Sequence, residues 1–444
     1  MSPHDIPPHD VRTAFQKEFA TTDTWITRAV VVGAAAIAGL VVVGFSWLAE
    51  SGLGLFLGMA DGVWWLPLLW TPLACAAIVW VTRRHVPGAA GSGIPQVIAA
   101  LDPALSGGRR PRLVSLRLSM AKIGLTSAGL LGGLSLGREG PSVQIAAGVM
   151  LAARRWLPRR SGVSAHSLLV AGGAAGIAAA FNTPLAGVMF AIEELSRTPE
   201  QRNSGLIVAG IVLAGLIAVS IHGNGTHFGV IHPGPIGLFL VWPGLLVTLV
   251  TGAAGGLFAR LLLTCLRGQS ADLPTRWRAR YPVRFAAGCG LAVAIIGAVS
   301  AGATYGSGNE ATRGLLENSA AVPGGFAFLK FAATWLTAWS GVPAGIFAPS
   351  LSIGAALGHD IALLTGYTQG AALIALGMVG FLAAATQAPL TAFIIVMEMV
   401  DGHGMVLSLM ACAVVASTVS RVLTPPLYTA LATLQLPPRR PPGG

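Results

Sequence analysis

The sequence predicts an all-α polytopic membrane protein made of two related halves of broken helices. Three observations predict this fold class. Of the 444 residues, 54% are hydrophobic and 10% are charged, whereas a soluble globular protein has roughly 25% charged residues. Apolar segments recur along the chain and are interrupted by glycine and proline. Two pairs of motifs also occur in the same order in the two parts of the chain.

Apolar segments follow one another along the whole chain. The predicted segments are, in order, 27–49, 63–81, 113–136, 141–153, 166–181, 184–192, 205–221, 236–265, 284–304, 324–364, 371–400 and 405–423. Several are well short of the roughly 20 residues that a spanning helix needs. Non-helical backbone is tolerated at membrane depth only where it is buried in protein or lines a wet cavity. The short and interrupted segments therefore indicate a permeation site.

The formal net charge of +11 lies in clusters of arginine between the apolar segments rather than on one polar face. Such clusters are typical of cytosolic loops under the positive-inside rule, so we expect no nucleic-acid partner. The stretch 1–24 contains acids as well as bases, unlike a signal peptide, and is interpreted as a cytosolic tail. The stretch 436–444 is interpreted as a second cytosolic tail. The four cysteines lack the spacing of a metal site, and we expect no metal or cofactor.

An internal repeat organises the membrane region. FNTPLAGVMFAIEEL at 181–195 matches TQAPLTAFIIVMEMV at 386–400, with an offset of 205 residues. GREGPSVQIAAG at 137–148 matches GIFAPSLSIGAA at 345–356, with an offset of 208 residues. Two similar offsets in the same order predict two related halves.

The halves are expected at 25–230 and 231–435, because the repeat places their division near 225–240. In many transporters an internal repeat with interrupted segments at matching places marks a binding site where the halves meet. The repeat therefore predicts a site between the halves.

Three glycine–proline motifs have the composition of helix starts. They are GSGIP at 91–95, GREGP at 137–141 and GIFAP at 345–349. Proline in the first helical turn loses no needed hydrogen-bond donor, and glycine lets the backbone turn sharply before it. A helix that starts inside the membrane presents its unsatisfied N–H groups and its positive dipole end to one point, where an anion binds favourably. Three such starts predict an anion site that needs no lysine.

Glu139 lies within GREGP, in a region that otherwise has very few charges. A carboxylate at a helix N-terminus is itself an anion, so its charged form competes with a permeant anion and its protonated form releases the site. Glu139 is therefore predicted to be a gate that carries a proton. The alternative is that Glu139 caps its own helix and pairs with Arg138. Burying a carboxylate in a membrane costs about a few kcal/mol, which favours the functional role.

Further polar residues are candidates for the same pathway. Glu193 and Glu194 end an apolar segment, and one is expected to face inward because neighbours on a helix diverge by about 100°. The alternative for each is a solvated helix end. Lys122 either lies near the pathway, where it raises the local anion density or pairs with a glutamate, or snorkels to the interface. Tyr428 either offers a hydroxyl donor or belongs to an interfacial aromatic belt.

GSGIP, GREGP and GIFAP in this order, followed by a Leu-Tyr pair near the C-terminus, resemble the CLC family of chloride channels and transporters over about 25–435. The resemblance implies a homodimer in a lipid bilayer, with one anion path in each subunit. Each path is implied to be built from two inverted halves of tilted and broken helices. The resemblance also implies a multi-pass protein of the inner membrane of a bacterium, with both termini cytosolic.

The resemblance implies a central anion site and assigns residues to it by position. The hydroxyls of Ser92 and Tyr428 and the backbone amides of Ile346 and Phe347 are the implied ligands. The serine of GSGIP resembles the chloride-handling branch of the family. We therefore expect chloride as the transported anion.

An outer anion site is implied at the amides around Arg138, Glu139 and Gly140, with the Glu139 side chain as the gate. Glu194 falls where the exchangers of the family keep an internal proton-transfer glutamate, and Glu193 falls beside it. These positions imply an antiporter that exchanges protons for chloride. A passive voltage- or pH-gated chloride channel of the same fold is the alternative.

A membrane-embedded serine hydrolase is the alternative from another class, since GLSLG at 133–137 matches G-x-S-x-G. That motif requires a strand-to-helix elbow. Ser135 is expected in an apolar helical run with no strand before it. The sequence therefore favours a transporter that is not an enzyme.

Overall fold

A computed structural model of the chain describes residues 22–105, 110–196, 204–223, 228–229, 238–268, 272–317 and 322–436. The expected cytosolic tails at 1–24 and 436–444 lie almost entirely outside the described residues. The expected division between the halves at 230 and 231 also lies outside them.

The described ranges contain 18 α-helices and no β-strand longer than an isolated bridge. The first half contains α1 (Thr22–Gly62), α2 (Leu66–His85), α3 (Ile94–Leu101), α4 (Leu116–Leu131), α5 (Glu139–Ala152), α6 (Ala165–Phe181), α7 (Pro184–Phe190) and α8 (Ser204–His222). The second half contains α9 (Val241–Arg267), α10 (Leu273–Arg280), α11 (Pro282–Val299), α12 (Asn309–Leu316), α13 (Phe326–Ser340), α14 (Phe347–Thr365), α15 (Gly370–Thr386), α16 (Pro389–Met399), α17 (Val406–Leu423) and α18 (Leu427–Thr433).

Within the described ranges, six helical stretches are long and apolar enough to cross a membrane. They are α1, α2, α9, α11, α14 and His403–Leu423, the last of which includes α17. Most of the other apolar helices are shorter, and α3, α7 and α18 have eight residues or fewer. The mixture of long spans and short broken helices is the one that the sequence predicts.

Glycine and proline divide the predicted segments where helices end. The apolar segment 324–364 is interrupted between α13 and α14 at GIFAP, and the segment 371–400 is interrupted between α15 and α16. Helices α6 and α15 both end in a left-handed residue, Asn182 and Gln387, each with a φ of 60°. The repeat thus extends to the way in which equivalent helices terminate.

The expectation that Ser135 lies in a helical run is wrong. Helix α4 ends at Leu131, and Gly133 has a φ of 73°, a left-handed conformation that favours glycine. The Phe56 ring occupies the space in which a side chain at Gly133 would lie. Ser135 therefore lies in an irregular segment before α5 and not in a helical run.

A reciprocal backbone contact joins the two halves at equivalent glycines. The Gly137 N–H donates to the Gly345 carbonyl at 2.8 Å, and the Gly345 N–H donates to the Gly137 carbonyl at 3.0 Å. The repeat aligns these two residues with each other. Equivalent residues exchange equivalent hydrogen bonds only across an approximate two-fold axis, as two inverted halves require.

A second reciprocal contact involves the two glutamates that the repeat aligns, each of which binds a helix of the other half. Glu193 accepts hydrogen bonds from the Leu390 and Thr391 N–H groups, at 3.1 and 2.7 Å, in the first turn of α16. Glu398 accepts hydrogen bonds from the Leu185 and Ala186 N–H groups, at 3.2 and 2.9 Å, in the first turn of α7. Each half thus caps a helix of the other half, which satisfies amide groups that have no partner within their own helix.

A third pair of equivalent contacts involves two buried lysines. Lys122 on α4 donates to the carbonyls of Ala89 and Gly91, at 2.8 and 2.5 Å. Lys330 on α13 donates to the carbonyls of Thr304 and Gly306, at 2.9 and 2.8 Å. Both lysine side chains are fully buried. Lys122 therefore neither snorkels nor pairs with a glutamate, but holds the loop that precedes α3.

The helices that carry the site pack closely at small residues. A Cβ at Gly377 on α15 would lie within 3.0 Å of the Gly354 backbone on α14. In the first half, a Cβ at Gly172 on α6 would lie 2.8 Å from the Ala146 carbonyl oxygen on α5. Small residues at such crossings allow membrane helices to approach closely without large side chains between them.

Candidate functional site

Three helix starts converge between the halves, as the sequence predicts. Helices α3, α5 and α14 begin at Ile94, Glu139 and Phe347. Gly93 precedes α3 with a φ of 106°, and a Cβ there would lie 2.8 Å from the Gly140 carbonyl oxygen. The bridge between Gly137 and Gly345 holds the starts of α5 and α14 together. Their amide groups and positive dipole ends therefore face one region, which favours an anion.

The residues assigned to the central anion site lie next to one another. Ser92 and Tyr428 are neighbours, yet neither hydroxyl has a partner at hydrogen-bond geometry among the described residues. The Tyr428 ring stacks on the Phe347 ring at a centroid distance of 5.9 Å. Ile346 and Phe347 form the start of α14 and are 2% and 1% exposed. Two buried hydroxyls without partners are available to a ligand, since buried polar groups are otherwise almost always paired.

A cavity of about 230 Å³ extends from this position toward the short helix α10. Ser92, Ile346 and Tyr428 contribute to its lining, together with apolar residues of α9 and α18. The cavity gives the central residues a connection to solvent.

The Glu139 carboxylate lies at the start of α14, in the position that an anion would take. Glu139 is 2% exposed, and its Oε2 accepts a hydrogen bond from the Ala348 N–H at 3.3 Å. The amides of Arg138 and Glu139 itself also face the carboxylate. A side chain at Gly137 would collide with Oε2, so glycine at this position makes room for the carboxylate. Glu139 therefore combines burial with a site that stabilises negative charge.

Arg138 is directed away from the Glu139 carboxylate. Its guanidinium forms an ion pair with Glu50 on α1 and donates to the Ser46 carbonyl at 3.4 Å. Pairing of Glu139 with Arg138, the alternative considered from the sequence, is not the arrangement in the structure. Sequence reasoning missed Glu50, although this carboxylate directly follows the predicted segment 27–49.

Glu194 is buried and Glu193 is half-buried, so the two neighbours have different surroundings. Both lie in a single π-helical turn, Ala191–Leu195, which continues α7. Turns of this kind are rare in proteins, and those that occur often lie at functional sites. Glu194 is 8% exposed, while Glu193 caps α16 and also accepts from the Thr391 hydroxyl at 2.8 Å. The turn thus allows one glutamate to face inward while its neighbour connects the halves.

A second pocket, of about 480 Å³, is lined by Glu193, Glu194, Gln387 and Arg421. It is separate from the cavity that Ser92 and Tyr428 line, since the two share none of their described lining residues. Glu194 and the central residues Ser92 and Tyr428 therefore face different pockets.

Aromatic rings fill the space between Glu194 and the anion residues. Phe190 precedes the π-turn and packs edge-on against Phe347 at 6.4 Å, and Phe181 lies 6.1 Å from the same ring. Both Glu139 and Glu194 lie close enough to Tyr428 to interact with it electrostatically. Tyr428 is 1% exposed, so it is not an interfacial belt residue. Tyr428 thus lies near both glutamates while its ring stacks on Phe347.

Ser135 has no environment suited to a nucleophile. Its hydroxyl is fully buried and shares a hydrogen bond of 2.9 Å with the Thr334 hydroxyl. No strand precedes it within the described residues. A triad requires a base within hydrogen-bond reach of the nucleophile, and Thr334 cannot serve as one.

We expect the double substitution Ser92→Ala and Tyr428→Phe to weaken chloride binding roughly tenfold or more, because it removes two hydroxyl donors to a charged ligand. Phenylalanine keeps the stacking contact with Phe347, so the change is confined to hydrogen bonding. Isothermal titration of the purified protein with chloride measures the affinity. Thr418→Val, on the outer face of α17, is the control that removes an exposed hydroxyl. An unchanged affinity in the double variant would contradict the assignment of this site.

Known proteins resemble this chain over most of its length. The family described as "Voltage gated chloride channel" matches residues 74–421. An H(+)/Cl(-) exchange transporter ClcA from Cronobacter sakazakii is 30% identical over 394 residues, which cover 83% of this chain and 79% of that protein. ClcA from Citrobacter koseri is 27% identical over 445 residues, which cover 95% of this chain and 90% of that protein.

A solved structure of a slow cyanobacterial Cl-/H+ antiporter is similar in fold. Its TM-score is 0.78 at 25% sequence identity, and the match covers 92% of this chain and 98% of that chain. A CLC-type fluoride/proton antiporter shares the fold with a TM-score of 0.74 at 21% identity. The all-helical fold and the family resemblance predicted from the sequence are thus confirmed. With its motifs, its fold and its matched residues in agreement, the chain belongs to the voltage-gated chloride channel family.

Proposed function

We propose that this chain is a proton-coupled chloride antiporter in which Glu139 is both the gate and a proton carrier. The observation that carries this proposal is the position of the Glu139 carboxylate at the start of α14, where it takes the place of an anion. A group that occupies the anion site only when it is charged links anion movement to its own protonation.

The exchange follows from competition at one site. The charged Glu139 side chain occupies the amides at the start of α14 and blocks the path. Protonation removes its negative charge and with it the attraction of the helix dipole, so the side chain leaves and chloride enters. When Glu139 later loses its proton, its charged side chain returns to the site and displaces chloride. A proton therefore moves in one direction for chloride that moves in the other.

Glu194 supports exchange over a passive channel. A channel needs no second titratable group, whereas an exchanger needs a route by which protons reach the gate without following the anion. Glu194 is buried and lines a pocket that shares no described lining residue with the cavity at Ser92 and Tyr428. Buried ionisable groups in membrane segments are costly, which indicates a functional role. The matched ClcA relatives are named as H(+)/Cl(-) exchangers, which agrees with this assignment.

Chloride-driven proton uptake tests the proposal. Purified protein is placed in liposomes loaded with chloride, in a low-chloride buffer of equal pH and with valinomycin and potassium to hold the voltage at zero. The proton gradient is zero at the start, and we expect chloride efflux to drive protons into the liposomes. Chloride efflux without proton uptake would identify a passive channel instead.

We also propose that two copies associate in the bilayer through the face formed by α7 and α16. These helices have 7 and 11 residues, far fewer than the roughly 20 that span a bilayer. Leu185 and Leu390, in their first turns, are 56% and 37% exposed, so polar helix ends lie beside this face. Polar backbone at membrane depth must be shielded from lipid. A second copy would provide that shield.

Mass measurement in detergent tests the dimer. Light scattering coupled to size exclusion is expected to give twice the protein mass of 45.3 kDa. Leu185→Trp together with Leu390→Trp, on the proposed face, should shift the protein toward one copy. Leu363→Trp, on an exposed part of α14, is the control that should leave two copies. A wild-type mass of a single chain would refute the dimer.

We further propose that the arginine clusters at the ends of α2, α9 and α10 face the cytosol of a bacterium, with the protein in the inner membrane. Arg83, Arg267 and Arg278 lie at or near these helix ends. The positive-inside rule places such clusters in the cytosol. The cavity at Ser92 and Tyr428 would then open to the cytosolic side.

A further inference from the structure

Arg278 differs from the other arginines of the basic loop helix α10. Arg276 and Arg280 on the same helix are exposed, whereas Arg278 is half-buried and turned toward the protein. Its Nη1 donates to the Cys265 carbonyl at the end of α9 at 3.3 Å. This hydrogen bond anchors the guanidinium beside the cavity instead of leaving it in bulk solvent.

Arg278 and the central hydroxyls line the same cavity. Tyr428 is 1% exposed, whereas Arg278 is half-buried and lies on the polar helix α10. Among the described residues that line this cavity, Arg278 is the only one with a charge. Its other walls are apolar side chains and backbone, together with the amides of Gln96 and Gln435. An anion that approaches Tyr428 through the cavity therefore passes one positive charge.

The Arg278 charge is not neutralised by a carboxylate. Within the described part of the chain, no carboxylate lies within 4 Å of its guanidinium. Arg83 at the end of α2 is close enough to add to the positive potential. A guanidinium attracts anions when it keeps free N–H groups and has another positive charge nearby. Apolar walls focus that attraction into the cavity.

We infer that Arg278 forms an anion-collecting subsite at the mouth of the cavity that leads to Ser92 and Tyr428. The ligand is a small monovalent anion, held by charge and by guanidinium N–H groups before it reaches the central site. The inference rests on the proposed transport of chloride but not on its coupling to protons. Arg278 would set how readily the central site fills at low chloride, while the maximal rate is set further inside.

Isotopic chloride exchange tests this subsite. Wild-type protein and variants are placed in liposomes with equal chloride on both faces, so that the orientation of the protein does not affect the result. The initial exchange rate is measured over a range of chloride concentrations at low ionic strength. Arg278→Gln removes the charge, Arg278→Lys keeps it, and Arg276→Gln removes an exposed charge from the same helix.

Arg278→Gln is expected to raise the half-saturating chloride concentration about threefold or more, with a maximal rate close to that of wild type, because a unit charge at the cavity mouth is lost. The increase should shrink when an impermeant salt screens the charges. Arg278→Lys should restore most of the wild-type value, and Arg276→Gln should match wild type.

Three results would overturn the subsite. The first is a wild-type half-saturating concentration in Arg278→Gln at low ionic strength. The second is an equal increase in Arg276→Gln, which would indicate a general surface potential. The third is a lower maximal rate with unchanged half-saturation in both Arg278 variants, since that pattern indicates a structural role. Proton uptake measured on the same liposomes separates the two proposals, because chloride exchange without proton movement would refute antiport and leave the subsite standing.

Discussion

Glu139→Gln is expected to abolish proton transport while chloride continues to cross the membrane. Glutamine has the size of glutamate but carries no charge, so it can neither transfer a proton nor compete with chloride at the amides of α14. The Ala348 N–H loses its charged partner and becomes available to chloride. Proton uptake driven by a chloride gradient should fall to the level of protein-free liposomes, and chloride flux should lose its dependence on pH.

The matched control for this substitution is Glu310→Gln. Glu310 lies in the first turn of α12, is exposed and carries the same charge near a helix start. It lies outside the converging starts of α3, α5 and α14. Glu310→Gln should therefore leave the proton-to-chloride ratio unchanged. Proton uptake at the wild-type ratio in Glu139→Gln would remove the gate assignment.

Glu194→Gln is also expected to stop proton transport, but for a different reason, since the gate itself remains intact. Glutamine at this position keeps the side-chain volume within the π-turn but cannot take up or release a proton. Chloride should then move downhill and uncoupled. Because Glu139 remains titratable, chloride flux should keep its dependence on the pH at the gate side, which distinguishes this variant from Glu139→Gln.

Glu193→Gln provides the neighbouring control. Glu193 caps α16 through three hydrogen bonds, so its substitution should lower the stability of the fold by about 1 kcal/mol after its partial exposure is considered. A lower melting temperature with retained proton coupling is the expected pattern. If Glu193→Gln lost proton coupling and Glu194→Gln retained it, Glu193 and not Glu194 would be the proton-transfer residue.

The sequence predicted the parts of the site that depend on local chemistry. GSGIP, GREGP and GIFAP start helices because glycine and proline favour that geometry wherever they occur, and all three starts were expected. The aligned glycines Gly137 and Gly345 were also expected to correspond. What a linear pattern could not give was their direct contact, because hydrogen bonds between halves depend on how the halves pack.

The same reason explains what was missed. GSG recurs at 306–308 before α12, but its offset of 215 residues from 91–93 differs from the other offsets, and proline does not follow it. Lys122 and Lys330 are 208 residues apart, the offset that aligns Gly137 with Gly345, so the repeat could have paired them, but only the structure shows that both hold equivalent loops. Arg278 is one arginine among several in TRWRAR, and only the cavity distinguishes it from its neighbours.

The measurement that tests exchange through one site most directly is the voltage at which proton movement stops. Liposomes with wild-type protein are given a fixed chloride gradient at equal pH, and potassium with valinomycin sets a series of voltages. A coupled exchanger requires this voltage to differ from zero and to shift when the chloride gradient is changed, because chloride supplies energy to the proton. If protons do not move at any voltage, or stop at zero voltage whatever the chloride gradient, chloride and protons are not coupled and the account is contradicted.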